Sequence, residues 1–170
     1  MKINFTDMKL KFIVTLIVMF FTQLDNAQNQ PTTFYLIRHA EKADNSANPE
    51  LSEAGLKRAE NWSTILSDIK FDEVYSTNYK RTISTGTPTA EKNHKTIKIY
   101  DHKTFDASSF IKENLHKNVL VVGHSNTIPT LVNKLTGKTV YTDIDETDFG
   151  NLYIVMVNGD SVSCQLLKLP

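Results

Sequence analysis

Two kinds of hydrophobic pattern alternate along the chain. Thr33–Ile37, Phe71–Tyr75, Thr96–Tyr100 and Asn118–Val122 are short runs rich in β-branched and aromatic residues, and read as strands. The first and last of these have almost no polar positions, the pattern of central strands buried on both faces of a parallel sheet. Between them the period changes to that of a helix. Leu56, Ala59, Trp62, Ile65, Leu66 and Ile69 share one helical face, which predicts an amphipathic helix over Glu53–Ile69 with Ser52 as its N-cap. A second helix is predicted from near Tyr79, with Gly86 weakening it and Pro88 expected to kink or end it. Shorter helices are predicted over Ser109–His116 and Ile128–Leu135, the latter with Pro129 in its first turn and Gly137 closing it. Asn151–Val157 and Ser161–Leu169 predict a hairpin across Asn158-Gly159. Strands that alternate with helices until a final hairpin predict an α/β fold, a three-layer sandwich with a mainly parallel sheet flanked by helices.

The N-terminus does not fit this alternation. Lys2, Lys9 and Lys11 precede an uncharged run, Phe12–Phe21, which is followed by a polar segment with Ala27. The run is short against the roughly 20 residues of a spanning helix. Basic start, short apolar core and small residue are the pattern of a secretory leader, which places a signal peptide at 1–27 and the folded domain at 28–170. An exported chain with no stable membrane anchor after leader cleavage, periplasmic or secreted from a bacterium, is the expectation.

Composition adds exclusions. The formal net charge is zero, so bulk electrostatics gives no reason to expect a nucleic-acid partner. Cys164 is the single cysteine, so no intrachain disulfide forms, and it reads as a buried structural thiol. His94, His102 and His116 sit on polar segments without metal-ligand spacing and read as surface residues, as does Lys42 in a solvated loop. Nothing in the sequence specifies an oligomeric state.

The candidate chemistry lies where predicted strands end. Arg38 and His39 follow the first strand, Arg81 follows the second, and His124 follows the fourth. In a parallel sheet these ends share one edge, where ligands bind. Two guanidiniums and two imidazoles gathered there suit a phosphoryl group: arginine donates bidentate hydrogen bonds, and a histidine neutral at pH 7 is a nucleophile. A phosphohistidine formed on one imidazole and then hydrolysed would divide one difficult step into two.

These residues resemble the histidine phosphatase superfamily, the phosphoglycerate mutase-like fold. The resemblance rests on Arg38-His39-Ala40 with Glu41 next, on Ser76-Thr77 followed by Arg81, Thr82 and Thr85, on Leu51-Ser52-Glu53-Ala54-Gly55, and on Val122-Gly123-His124-Ser125-Asn126-Thr127. It implies that His39 is phosphorylated and that Arg38, Arg81 and His124 bind the phosphoryl group. Asn126 is a further candidate, either as a donor to phosphate or as a residue orienting His124. The family's leaving-group acid has no clean counterpart: Asp101 is favoured, with Asp106 and Glu41 as alternatives and a turn cap as the structural reading of Asp101.

The expected activity is hydrolysis of a small phosphomonoester with no cofactor and no metal, the arginines neutralising charge. Phosphohistidine on a protein is an alternative substrate. A non-catalytic phosphate- or phosphosugar-binding module on the same fold is the other reading. A serine hydrolase using Ser125 is disfavoured, because a nucleophile elbow requires glycine where Thr127 stands. Leaving-group specificity is expected in the loops Glu41–Glu50 and His102–Ser108.

Overall fold

The computed structural model describes residues 30–169, so the leader expected at 1–27 lies outside the described residues. Six strands form one sheet in the order β3-β2-β4-β1-β5-β6. These are β1 (Thr32–Arg38), β2 (Glu73–Ser76), β3 (Ile97–Ile99), β4 (Asn118–Gly123), β5 (Asn151–Asn158) and β6 (Ser161–Lys168). β1, β4, β2 and β3 are parallel neighbours, while β5 runs antiparallel to both β1 and β6. The helices are α1 (Glu53–Ile65), α2 (Lys80–Lys92), α3 (Ala107–Glu113) and α4 (Thr127–Thr136). The α/β sandwich expected from the alternation is the fold observed.

The apolar strands serve two cores at once. Phe34, Leu36, Val119 and Val121 face α3 and α4 and pack with Phe110, Ile128 and Leu131. Ile37, Leu120 and Val122 face the other way and pack with Trp62 of α1 and Ala90 of α2. Successive side chains on a strand point to opposite faces, so a strand covered on both sides has no place for a polar residue. Truncating one of these to alanine removes about 2–5 kcal/mol of stability for Leu or Ile.

Local chemistry moved several boundaries. α1 stops at Ile65, and turn hydrogen bonds carry the chain on to Ile69. α2 runs unbroken through Pro88, where a kink or break was expected. Pro88 has no N–H to donate to the Ser84 carbonyl, and the helix continues past that single missing bond, with the Thr85 and Thr87 hydroxyls donating to the carbonyls of Arg81 and Ile83. α3 begins early because Asp106 caps it, accepting from Ser109 N, and the chain has left the helix by His116, which sits at φ 63°. The hairpin turn is Gly159-Asp160, one residue later than expected, because Asn158 pairs with Ser161. Gly159 takes φ 57° at the first central position, where a II′ turn demands glycine.

Cys164, expected as a buried thiol, is half-buried in β6 and accepts a hydrogen bond from the Tyr141 hydroxyl at 3.4 Å. Among the described residues no helix is long and apolar enough to cross a membrane.

Candidate active site

The carboxyl ends of β1, β2 and β4 lie side by side, and the register pairs Arg38 with Gly123 and Ser76 with Val122. The residues that follow those positions therefore converge. They line a cleft of about 440 Å³ whose walls include His39, Arg81, His124, Asn126, Tyr79 and Lys42. α4 starts beside it at Thr127, adding the partial positive charge of a helix N-terminus.

His39 is 4% exposed, and its ring orientation is fixed by one contact. Its Nδ1 lies 2.7 Å from the Ala40 carbonyl oxygen, which can only accept, so Nδ1 carries the proton. Nε2 is left with an available lone pair. The Ala40 peptide is itself anchored, its N–H donating to Thr85 Oγ1 at 3.0 Å while that hydroxyl donates to the Arg81 carbonyl. One buried threonine thus ties the His39 turn to the helix that carries Arg81. Burial, with the Arg38 and Arg81 charges nearby, lowers the His39 pKa to about 4, and the ring is neutral at pH 7.

His124 stands against it, ring centroids 5.4 Å apart. Arg81 Nη2 donates to His124 Nδ1 at 3.3 Å, so the proton sits on Nε2, which donates to Thr77 Oγ1 at 2.9 Å. The Thr77 hydroxyl passes its hydrogen to Thr82 Oγ1, which donates to the Thr77 carbonyl. Burial and the Arg81 guanidinium lower the His124 pKa to about 3. Both its nitrogens are engaged, so His124 orients Arg81 from below. Tyr79 braces the same pair, its ring edge-on to His124 and 4.6 Å beneath the Arg81 guanidinium carbon.

Arg38 is 1% exposed and is held by the loop between α4 and β5. Nη1 donates to the carbonyls of Asp145 (2.7 Å) and Asp148 (3.0 Å), Nη2 donates to Glu146 Oε2 (2.6 Å), and the Phe149 ring lies 4.3 Å away. Glu146 lines the cleft and also accepts from Ser125 Oγ at 2.7 Å. These hydrogen bonds and the Arg38 charge lower its pKa, so it is ionised at neutral pH. Arg38 lies behind the cleft wall; its Nε–H, and that of Arg81, are buried without a partner. Buried unpaired N–H groups are costly. An anion in the cleft is the ligand whose oxygens would reach the Arg81 Nε–H, since Arg81 lines the cleft and Arg38 does not.

The sequence-predicted residues fare differently. His39, Arg81, His124 and Asn126 line the cleft. The ring nitrogens of His124 are engaged by Thr77 and Arg81, and Asn126 makes no side-chain hydrogen bond to it. Asp101 is not brought to the cleft: its Oδ1 accepts from Lys103 N in a turn, the structural reading weighed for it. Asp106 caps α3, and Glu41 pairs with Arg58 at 2.8 Å. Lys42 and His102, read as surface residues, both line the cleft, although Lys42 remains exposed. The cleft's carboxylates are Asp143 and Glu146, from a segment to which the sequence reading assigned nothing. Its only signal is the density of acids in Asp143–Asp148.

Residues 34–110 match the family model described as histidine phosphatase superfamily (branch 1). That stretch holds His39 and Arg81 but ends before His124, whose place rests on the geometry above. Among solved structures, the protein histidine phosphatase SixA complexed with tungstate is 13% identical, with a TM-score of 0.63, covering 80% of this chain and 96% of its own. The alpha-ribazole phosphatase from Shigella flexneri is 16% identical, with a TM-score of 0.62, covering 81% and 96%. Phosphoglycerate mutase from Bacillus anthracis is 16% identical, with a TM-score of 0.60, covering 84% and 95%. At these identities the likeness is one of fold. No curated protein sequence matches the chain. The motif-bearing stretch thus matches the histidine phosphatase superfamily, and the chain shares the phosphoglycerate mutase-like fold.

Proposed function

We propose that this protein hydrolyses phosphomonoesters through a phosphohistidine on His39, without a metal, after export from the cell. The observation that carries the reading is the unprotonated Nε2 of a neutral, buried histidine set among guanidiniums whose buried Nε–H groups lack partners. Nε2 attacks phosphorus, the P–O bond to the leaving group breaks, and the alcohol departs after gaining a proton. Water then attacks the phosphoimidazole and releases phosphate. Arg81, held by His124 and Tyr79, faces the equatorial oxygens, and Arg38 adds its charge from behind. The two guanidiniums carry the neutralisation a metal would otherwise supply.

Glu146 is ionised and tied to Arg38 and Ser125, so it is poorly suited to protonate a leaving group. Cleft water can supply the proton to the departing alcohol. Export rests on the basic and apolar pattern of residues 2–21. N-terminal sequencing of protein secreted by a bacterial host is expected to begin at Gln28, and recovery of intact Met1 from the cytosol would remove export from the proposal.

The decisive test is turnover of an aryl phosphate by purified protein beside His39→Ala, with and without a chelator. Turnover by the first alone, indifferent to chelator, is expected, as is acid-labile, base-stable labelling of His39 in a rapid quench. Binding of inorganic phosphate by folded protein with no turnover would favour the binding-module reading. Equal turnover by both would sink the His39 mechanism.

A further inference from the structure

The cleft continues past the histidines. A second cavity of about 330 Å³ is lined by His102, Asn126, Thr127, Thr130, Leu131 and Asp143. Four of these residues, His102, Asn126, Thr127 and Asp143, also line the His39 cleft, so the two spaces are contiguous. A phosphoryl group at His39 would direct the rest of its molecule along one of the cleft's openings, and this one is walled. At ~30 Å³ per water, the cavity holds about eleven water volumes, room for a monosaccharide.

The two halves differ in charge. Arg81 and Lys42 line the phosphoryl end, with Arg38 behind it. Neither lysine nor arginine lines the second cavity. The nearby Lys134 ammonium is turned to the Phe105 carbonyl at 3.2 Å. Asp143 is exposed, and no hydrogen bond or ion pair engages its carboxylate among the described residues. Around it are an amide, Asn126, with no partner for its side chain, and the hydroxyls of Thr127 and Thr130. Glu146, the cleft's other carboxylate, is already paired with Arg38.

We infer that this second cavity is the leaving-group subsite, and that Asp143 selects phosphomonoesters whose leaving group is a polar, sugar-sized unit bearing a protonated amine, against those bearing a second phosphate. The inference rests on the phosphatase reading above. The hydroxyls and amide would meet a polyol, Asp143 would pair with an ammonium, and a second phosphate would face an uncompensated carboxylate with no lysine or arginine to receive it. An exposed pair of this kind is worth up to about 1 kcal/mol, or about fivefold in kcat/KM.

The test uses the full-length protein and three substrates: glucosamine 6-phosphate, glucose 6-phosphate and fructose 1,6-bisphosphate. The first two differ at one position, ammonium against hydroxyl. The expected ratio of their kcat/KM values is about three to five in favour of the amine at low salt, shrinking as salt is added. In Asp143→Asn the ratio falls to about one. In Asp143→Lys it inverts, and the bisphosphate gains on both. Each ratio is internal to one variant, so a partial loss of folded protein does not distort it. A wild-type ratio of one or less, or a ratio unchanged in Asp143→Asn, overturns the subsite. If an aryl phosphate is turned over while the amine earns no preference, the subsite alone fails. If no phosphomonoester is turned over by folded protein, the phosphatase reading fails and takes the subsite with it.

Discussion

The nucleophilic character of His39 is set by its other nitrogen. Because Nδ1–H is committed to the Ala40 carbonyl, the lone pair belongs to Nε2, and burial keeps the ring from taking a second proton until the pH approaches 4. The sign follows directly. A neutral ring attacks, so kcat/KM, which reports the free enzyme, holds its value as pH falls through 6.5 and declines only toward 4, once corrected for ionisation of the substrate. An acid limb centred near 6.5 would show an ordinary, solvated histidine instead. Glu146 gives a second prediction. In Glu146→Gln the amide oxygen still accepts from Arg38 Nη2, so the guanidinium keeps its position while one negative charge leaves the cleft wall. Inorganic phosphate should then inhibit more strongly, by about fivefold at low salt for ~1 kcal/mol of removed repulsion. Weaker inhibition would mean that the carboxylate acts mainly by fixing Arg38.

At the scale of elements, the site depends on how closely α1 approaches the turn after β1. Ser52 N donates to the Glu41 carbonyl at 2.9 Å, and a Cβ on Gly55 would fall 2.2 Å from that same oxygen. Alanine gains up to about 1 kcal/mol over glycine inside a helix, but a steric conflict with backbone costs about 1–3 kcal/mol, so the contact decides the sign. Gly55→Ala is expected to lower the urea midpoint and, since Glu41 lies two residues beyond His39, to lower kcat as well. A raised midpoint would show that α1 can shift without cost. This is also where the sequence was most and least legible. Ser52 and the apolar spacing announced α1, and unbroken apolar runs announced β1 and β4, because capping and burial are local signals. Pro88 misled because a proline removes only one bond of the helical ladder, and the rest of α2 carries the helix past it. Asp143 and Glu146 were silent for the opposite reason: they lie on a loop without periodicity, and contacts distant in sequence, from Arg38 and Ser125, fix it there.

For the molecule as a whole, two neutral histidines buried at the junction of three strand ends make stability depend on pH. Unfolded, each titrates near 6.5; folded, His39 titrates near 4 and His124 near 3. Below 6.5 the unfolded chain therefore binds more protons than the folded one, and stability falls as the pH is lowered. Each group's contribution is complete above 6.5 and is lost progressively toward its folded value, with a slope of up to about 1.4 kcal/mol per pH unit for each histidine. Between pH 6.5 and 5 carboxylates contribute little, since Glu73, Asp145 and Glu146 all titrate below their ordinary range. His94, His102 and His116 lie outside this buried pair. The expected outcome is a urea midpoint that drops steadily from pH 6.5 to 5 in phosphate-free buffer, with about half that slope in His39→Asn. An anion seated among the guanidiniums would favour the protonated rings and stabilise the folded state by mass action, so saturating inorganic phosphate should flatten the same curve. Flattening in the wild type, and a weaker response in Arg81→Gln, would tie the acid sensitivity of the fold to the charge arrangement that serves the chemistry. A midpoint unmoved by pH over this window would mean that solvent reaches both rings and that neither histidine is held neutral by the fold.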